Sequence, residues 1–240
     1  MRNEFITLRD SAAQLGVELT DTQLEQFENY YEMLIEKNKV MNLTAITELK
    51  EVIEKHFLDS ISLVKVMDLH RNLRVLDLGT GAGFPGIPLK IAFPELEITL
   101  VDSLNKRVLF LEEVIQKLNL DKTAGIHARA EELARNKNYR EEFDLCVSRA
   151  VANLSTLSEY CLPFVKVGGR FISYKANEVE KEVEEAKKAL FLLGGTCSGI
   201  EVFTLPGTKI GRSFVVIKKE KKTPKTYPRK AGTPTKKPIS

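Results

Sequence analysis

The sequence predicts an α/β fold: a mostly parallel sheet of seven strands, a helical extension ahead of it and an antiparallel hairpin closing it at the C-terminal end. Three observations predict it. From Leu73 onward, short β-rich runs alternate with amphipathic segments, the rhythm of parallel strands joined by helical crossovers. The first run ends in a loop with glycines at alternate positions, Gly79, Gly81 and Gly83. The last two runs flank the turn pair Pro206-Gly207 and read as a hairpin.

Residues 1–70 form the helical extension. Thr20 with Gln23 three residues on has the spacing of a capping box, which satisfies two amides orphaned at a helix start. Leu24, Phe27, Tyr31, Leu34 and Ile35 then make one apolar stripe at helical spacing that ends near Asn38. A polar link, Asn42-Leu43-Thr44, leads to a second helical stretch in which Ile53, Phe57, Ile61 and Val64 share a face. A shorter helix is expected before both.

Residues 71–219 carry the sheet. Parallel strands are expected at 74–77, 97–102, 125–128, 143–148 and 169–174, with helices at 87–93, 106–118, 154–161 and 179–192. The hairpin strands fall at 200–205 and 213–219, and residues 220–240 follow as a basic tail. There is no internal repeat.

With 43% hydrophobic and 29% charged residues, the composition is that of a soluble folded protein, and no run approaches the roughly 20 apolar residues of a membrane span. The start lacks the apolar stretch of a signal peptide, so a cytoplasmic protein is expected. Cys146, Cys161 and Cys197 are odd in number and show no CxxC spacing, which indicates neither a disulfide framework nor a metal site. The formal charge of +3 hides an asymmetry. Residues 218–240 hold eight lysines and Arg229 against the single Glu220, so they carry +8 and the other 217 residues carry −5. A basic end on a mildly acidic body suits contact with polyphosphate, and charge alone equally suits a solvated tail.

The alternate glycines at the tip of the first strand let a ligand lie against bare backbone. Gly81-Ala82-Gly83-Phe84-Pro85-Gly86 also satisfies the dinucleotide GxGxxG pattern, a weak signal by itself. Three features favour a sulfonium cofactor, S-adenosylmethionine. Asp77, two residues before the first glycine, can face the ammonium of a methionine moiety but would repel a pyrophosphate. Pro85 removes an amide that a pyrophosphate would use. No second domain stands ready for a dehydrogenase substrate. Asp102, at the end of the second strand, can accept from both ribose hydroxyls in either cofactor class. Ala130 and Glu131 follow the third strand, where an amide and a carboxylate can read an adenine edge; a glutamate there also suits the dipole of a helix start.

At the end of the fourth strand stands Ser148-Arg149-Ala150-Val151. The Asn/Asp-Pro-Pro-aromatic set used to orient exocyclic amines is absent, and Cys146 falls inside the strand, unsuited to the exposed thiolate of pyrimidine C5 chemistry. An acceptor that needs no base, such as N7 of guanine, fits what remains.

The runs Asn42-Leu43-Thr44, His56-Phe57-Leu58-Asp59-Ser60, 76–88 with Phe84-Pro85-Gly86-Ile87-Pro88, Val147-Ser148-Arg149-Ala150, and 227–234 resemble the glucose-inhibited division protein B family, the bacterial small-subunit ribosomal RNA methyltransferases G. The resemblance spans nearly the whole chain. It implies a Rossmann-like class I methyltransferase fold, S-adenosylmethionine as cofactor, and methylation of guanine N7 in the decoding region of small-subunit (16S) ribosomal RNA. The substrate partner is then that RNA or a ribosomal particle, met by a monomer. Carried over residue by residue, cofactor contacts fall at Gly79, Phe84, Ala130, Glu131 and Arg149; Asp77, Gly81 and Asp102 join them from the reading above. Arg149 is placed to reach both cofactor and RNA.

Candidates at the reacting centre are Arg149, His56 and Asn42. A histidine on a helix near Asp59 is more often a structural hydrogen-bonder than a catalyst, and Asn42 and Thr44 either cap a turn or border the substrate cleft. With the resemblance, Tyr227, Arg229 and Lys230 become candidate RNA contacts, an aromatic for stacking among cations for phosphates.

Overall fold

The computed structural model describes residues 2–149, 152–176 and 179–239. Met1 of the extension, Ala150 and Val151 after the fourth strand, and Ser240 of the tail lie outside them. Seven strands form one sheet in the order β3-β2-β1-β4-β5-β7-β6. β1 (Arg74–Leu78) lies inside the sheet and pairs in parallel with β2 (Glu97–Asp102) and β4 (Phe143–Arg149). β3 (Thr123–His127) and β5 (Val165–Lys175) extend the parallel run outward on either side. Among the described strands only β7 (Gly211–Lys219) runs against the others: it is inserted antiparallel between β5 and β6 (Gly195–Thr204), with which it forms the closing hairpin. The chain winds from β1 out to β3 and then returns to the other side of β1 at β4. That reversal opens a crevice beyond the carboxyl ends of the strands, where α/β sheets bind ligands.

Strand alternation sorts the sheet's side chains into two cores. Val75, Ile98, Leu100, Val147 and Ile172 join one with α1 (Asn3–Ala13), α2 (Asp21–Met41), α5 (Gly86–Ala92) and α6 (Asn105–Lys117). Leu76, Val101, Cys146, Phe171 and Val215 join the other with α7 (Ala130–Leu133), α8 (Leu154–Cys161) and α9 (Glu180–Leu193). Among the described residues no helix is long and apolar enough to cross a membrane.

The capping box at Thr20 and Gln23 is present, and the Gln23 amide also donates to the carbonyls of Ile91 and Ala92, tying α2 to the end of α5. α2 runs past Asn38 to Met41, where Asn42 closes it in the left-handed conformation at φ 49°. The second helical stretch is not one α-helix. α3 (Leu49–Val52) passes into a π turn at Ile53–Leu58, then α4 (Asp59–Ile61) and a 3-10 turn at Ser62–Lys65. The strands of the hairpin and β5 start earlier than their apolar runs suggest, because ladder pairing carries them through polar ends.

After β7 the chain lies across the second face of the sheet as a strap. Arg140 donates to the carbonyls of Thr223, Pro224 and Tyr227, and Arg135 to that of Pro228. Lys219 is fully buried, with its amine on the Leu162 carbonyl and the Thr223 hydroxyl; burial lowers its pKa to about 8. Arg229 forks onto the carboxylate of Glu159, itself wholly buried, at 2.6–3.1 Å. The strap ends in α10 (Thr233–Lys236), packed on α8, and in Ile239 of the second core.

Candidate active site

A cleft of about 880 Å³ opens at the crevice between β1 and β4. The glycine loop forms its floor. Gly79, Gly81 and Gly83 all hold positive φ (71°, 63° and 107°), a conformation that costs side-chain-bearing residues. Two of them serve different ends. A Cβ on Gly81 would meet nothing within 4 Å, so the space beside it belongs to the cleft, whereas one on Gly83 would fall 2.7 Å from the Tyr30 hydroxyl and 2.6 Å from Ile87. Gly83 therefore admits the N-terminal helices. Tyr30, fully buried, donates to the Ala82 carbonyl at 2.6 Å and packs its ring against Phe57 and Phe84.

Asp77 lies beneath the loop. Its Oδ2 accepts from Thr80 Oγ1 at 2.6 Å and the Gly86 amide at 2.8 Å, while Oδ1 is buried without a hydrogen-bond partner. Burial raises its pKa to about 6, against the pull of those two donors. Asp102 lines the cleft with its carboxylate held by the amides of Gly81 and Leu104 and by Arg107. Ala130 and Glu131 line it as well, and Glu131 Oε1 accepts from the Gly232 amide of the strap at 2.9 Å.

At the other end Arg149, from the tip of β4, pairs with Asp59 at 2.8 Å and donates to the Lys55 carbonyl at 3.1 Å. Its guanidinium lies 5.0 Å from the centre of the Phe84 ring, on which His56 stacks at 4.4 Å. The π turn supplies His56 and Phe57 together, and such turns recur at functional sites. His56 Nδ1 lies 3.2 Å from both an Arg149 nitrogen and the Lys55 carbonyl, and Nε2 lies 3.0 Å from Thr44 Oγ1. Burial, then Arg149, lowers the His56 pKa to about 3, and the ring is neutral.

The structure thus brings Gly79, Gly81, Phe84, Asp102, Ala130, Glu131, Arg149 and His56 around one cleft. Asn42 caps α2 and is not part of the wall, whereas Thr44 is. Of the strap candidates, Lys230 is exposed, Tyr227 is half-buried against the second core, and Arg229 is engaged by Glu159. Sequence reasoning missed Asp59 and Arg212 as a buried pair: Arg212 Nε meets Asp59 Oδ1 at 2.7 Å, so one carboxylate holds two guanidinium groups. The run 56–60 marked Asp59; nothing in the sequence marked Arg212.

The sequence profile described as rRNA small subunit methyltransferase G matches residues 23–210. The chain belongs to this family. It is similar to the ribosomal RNA small subunit methyltransferase G of Lachnoclostridium phytofermentans, 56% identical over 94% of this chain and 93% of the relative. The enzyme of the same name from Desulforamulus reducens is 53% identical over the whole of both chains. Among solved structures, a variant of MtNAS in complex with S-adenosylmethionine superposes with a TM-score of 0.54 at 16% identity, covering 90% of this chain and 78% of that one, a likeness of fold. For the methyltransferase G family, the Rossmann-like sheet with its closing hairpin is the expected plan, and this chain has it.

Proposed function

We propose that this chain transfers the methyl group of S-adenosylmethionine to N7 of a guanine in the decoding region of small-subunit ribosomal RNA. Two observations support the cofactor: the cleft has backbone bare of side chains at Gly81, and beneath its glycine loop lies a buried carboxylate oxygen, Asp77 Oδ1, with no partner of its own. Asp77 would hold the ammonium, Asp102 the ribose and Glu131 the adenine, with Phe84 beside them. When bound, the cofactor supplies an electrophilic methyl on its sulfonium.

One observation supports the choice of acceptor: among the described residues, the titratable groups at the Arg149 end of the cleft are engaged by protein partners. Both nitrogens of His56 have partners, Asp59 is claimed by two arginines, and Lys55 and Lys175 pair with Glu51 and Glu182. Cys146 is buried, which raises its thiol pKa and removes a thiolate route. The acceptor must bring an available lone pair, as guanine N7 does. Alignment in a closed site contributes about 7–11 kcal/mol to such a transfer, enough to dispense with a base. Arg149, fixed by Asp59, has the position and donors to orient the base.

Lys225, Lys230, Lys236 and Lys237 of the strap are exposed, which suits them to phosphate contacts. Ribosomal RNA as substrate implies a cytoplasmic site of action, and the working unit is proposed to be a monomer. Incubation with methyl-labelled S-adenosylmethionine and protein-free RNA or partly assembled small subunits should yield labelled 7-methylguanosine on nuclease digestion. Absence of label from the RNA overturns the proposal.

A further inference from the structure

The far end of the cleft, around Ala130 and Glu131, is completed by the strap: Gly232 and Thr235 form part of its wall. The strap is pinned there on both sides of Gly232. Arg229 forks onto buried Glu159 and also donates to the Lys237 carbonyl at 2.8 Å, closing residues 229–237 into a loop. Within it, the Pro234 carbonyl accepts from Thr156 Oγ1 at 3.1 Å, and the Thr235 and Tyr160 hydroxyls meet at 2.8 Å. Gly232 itself takes φ +77° and ψ −10°, a left-handed conformation that aims its amide at Glu131 Oε1. No hydrogen bond among the described residues reaches Glu131 Oε2, although the residue is only 6% exposed and faces the cleft.

We infer that the C-terminal loop 229–237 is part of the cofactor's base subsite, with Gly232 as the positioning residue that locks Glu131 so that Oε2 selects a 6-amino purine. This rests on the cofactor reading above and adds to it a segment remote in sequence. A carboxylate held at one oxygen by an amide cannot turn away, so its other oxygen is a fixed acceptor. An exocyclic amine satisfies that acceptor. A 6-oxo group presents another acceptor at that position and leaves the carboxylate oxygen, enclosed once the ligand covers it, without that donor, the situation in which binding sites discriminate most.

The test is calorimetry of the full chain with S-adenosyl-L-homocysteine and S-inosyl-L-homocysteine, which differ at that position. The wild-type chain should prefer the adenosyl ligand by roughly 10–100-fold, the range for a charge-assisted hydrogen bond. Glu131→Gln gives the sharper result. Its amide oxygen remains the partner of the Gly232 amide, so its NH2 faces the ligand and the preference should invert toward the inosyl compound. Gly232→Pro removes the amide hydrogen and cannot adopt the native φ. It should bring the two affinities to within a few-fold, and in combination with Glu131→Gln it should abolish the inversion. The inference is overturned if Glu131→Gln weakens both ligands equally, or if Gly232→Pro keeps the wild-type ratio. Should Gly232→Pro fail to fold, the inversion in Glu131→Gln decides alone. Binding of neither ligand to the wild-type chain would instead overturn the cofactor assignment, and this inference with it.

Discussion

The two additions to the sheet, before its first strand and after its last, are held by different forces. The N-terminal helices grip the glycine loop through packed aromatic rings: Tyr30 and Phe57 lie tilted against Phe84, and Phe27 packs on Phe57. The C-terminal strap is held mainly by cations on carbonyls and by one buried ion pair. Both reach the same cleft from opposite sides of the sheet. The contrast teaches that an apolar brace is written locally, in the spacing of its rings, whereas a polar strap depends on partners that composition cannot reveal.

The largest expected effects set the two against each other. Phe57→Ala should cost about 3–5 kcal/mol in denaturant unfolding, as truncated buried aromatics do. Arg229→Met should cost about as much, roughly 3–5 kcal/mol, because it strands the buried Glu159 carboxylate. Acidification separates them: protonating the stranded Glu159 should restore part of the stability of Arg229→Met and none of that of Phe57→Ala. If both variants respond alike to pH, the strap is held by packing and the contrast fails.

Next in size, Tyr30→Phe should lower stability by about 1–3 kcal/mol, since the Ala82 carbonyl loses its donor inside the core. A smaller loss, measured in the same titration, would mean that the rings alone brace the loop.

The loop between the two additions carries a pH signature. The Asp77 carboxyl is held up at about 6, above its ordinary value, so the folded chain retains that proton more tightly than the unfolded one. This contribution favours folding at low pH and fades as pH rises from about 4 to about 6. Ligand binding should run the other way: affinity for S-adenosyl-L-homocysteine is expected to rise up to about tenfold per pH unit below 6 and level off above it. Asp77→Asn should flatten that dependence. His56, lowered to about 3, should contribute no inflection to methyl transfer between pH 5 and 8. The smallest effect is Thr20→Ala, about 1 kcal/mol from the lost helix cap.

Much of the fold was legible because its signals are local. Thr20 and Gln23 form the cap their spacing announces, and Leu24, Phe27 and Leu34 are buried as their period requires. The alternation of strands and helices yields the sheet in order, and Gly81 and Asp102 meet at the cleft. What escaped is long-range. Lys219 and Arg229 entered the charge count as outward cations, yet their partners lie 57 and 70 residues away along the chain. The 53, 57, 61, 64 stripe reads as a plain α-helix, and no residue type distinguishes the wider turn within it. Asp59 as the anchor of both Arg149 and Arg212 follows from the meeting of three elements that only the folded chain brings together.

That wider turn makes length itself a constraint. A π turn holds one more residue than the α-helical turn it replaces, so deleting one residue from Ile53–Leu58 would let the segment close up as ordinary α-helix. Val52 and Ile53 would still enter the core on one side, and Asp59 would still grip its arginines on the other. The change falls between them, where the wide turn presents His56 and Phe57 side by side to the Phe84 ring. Such a deletion should therefore spare the fold more than it spares the wall of the cleft.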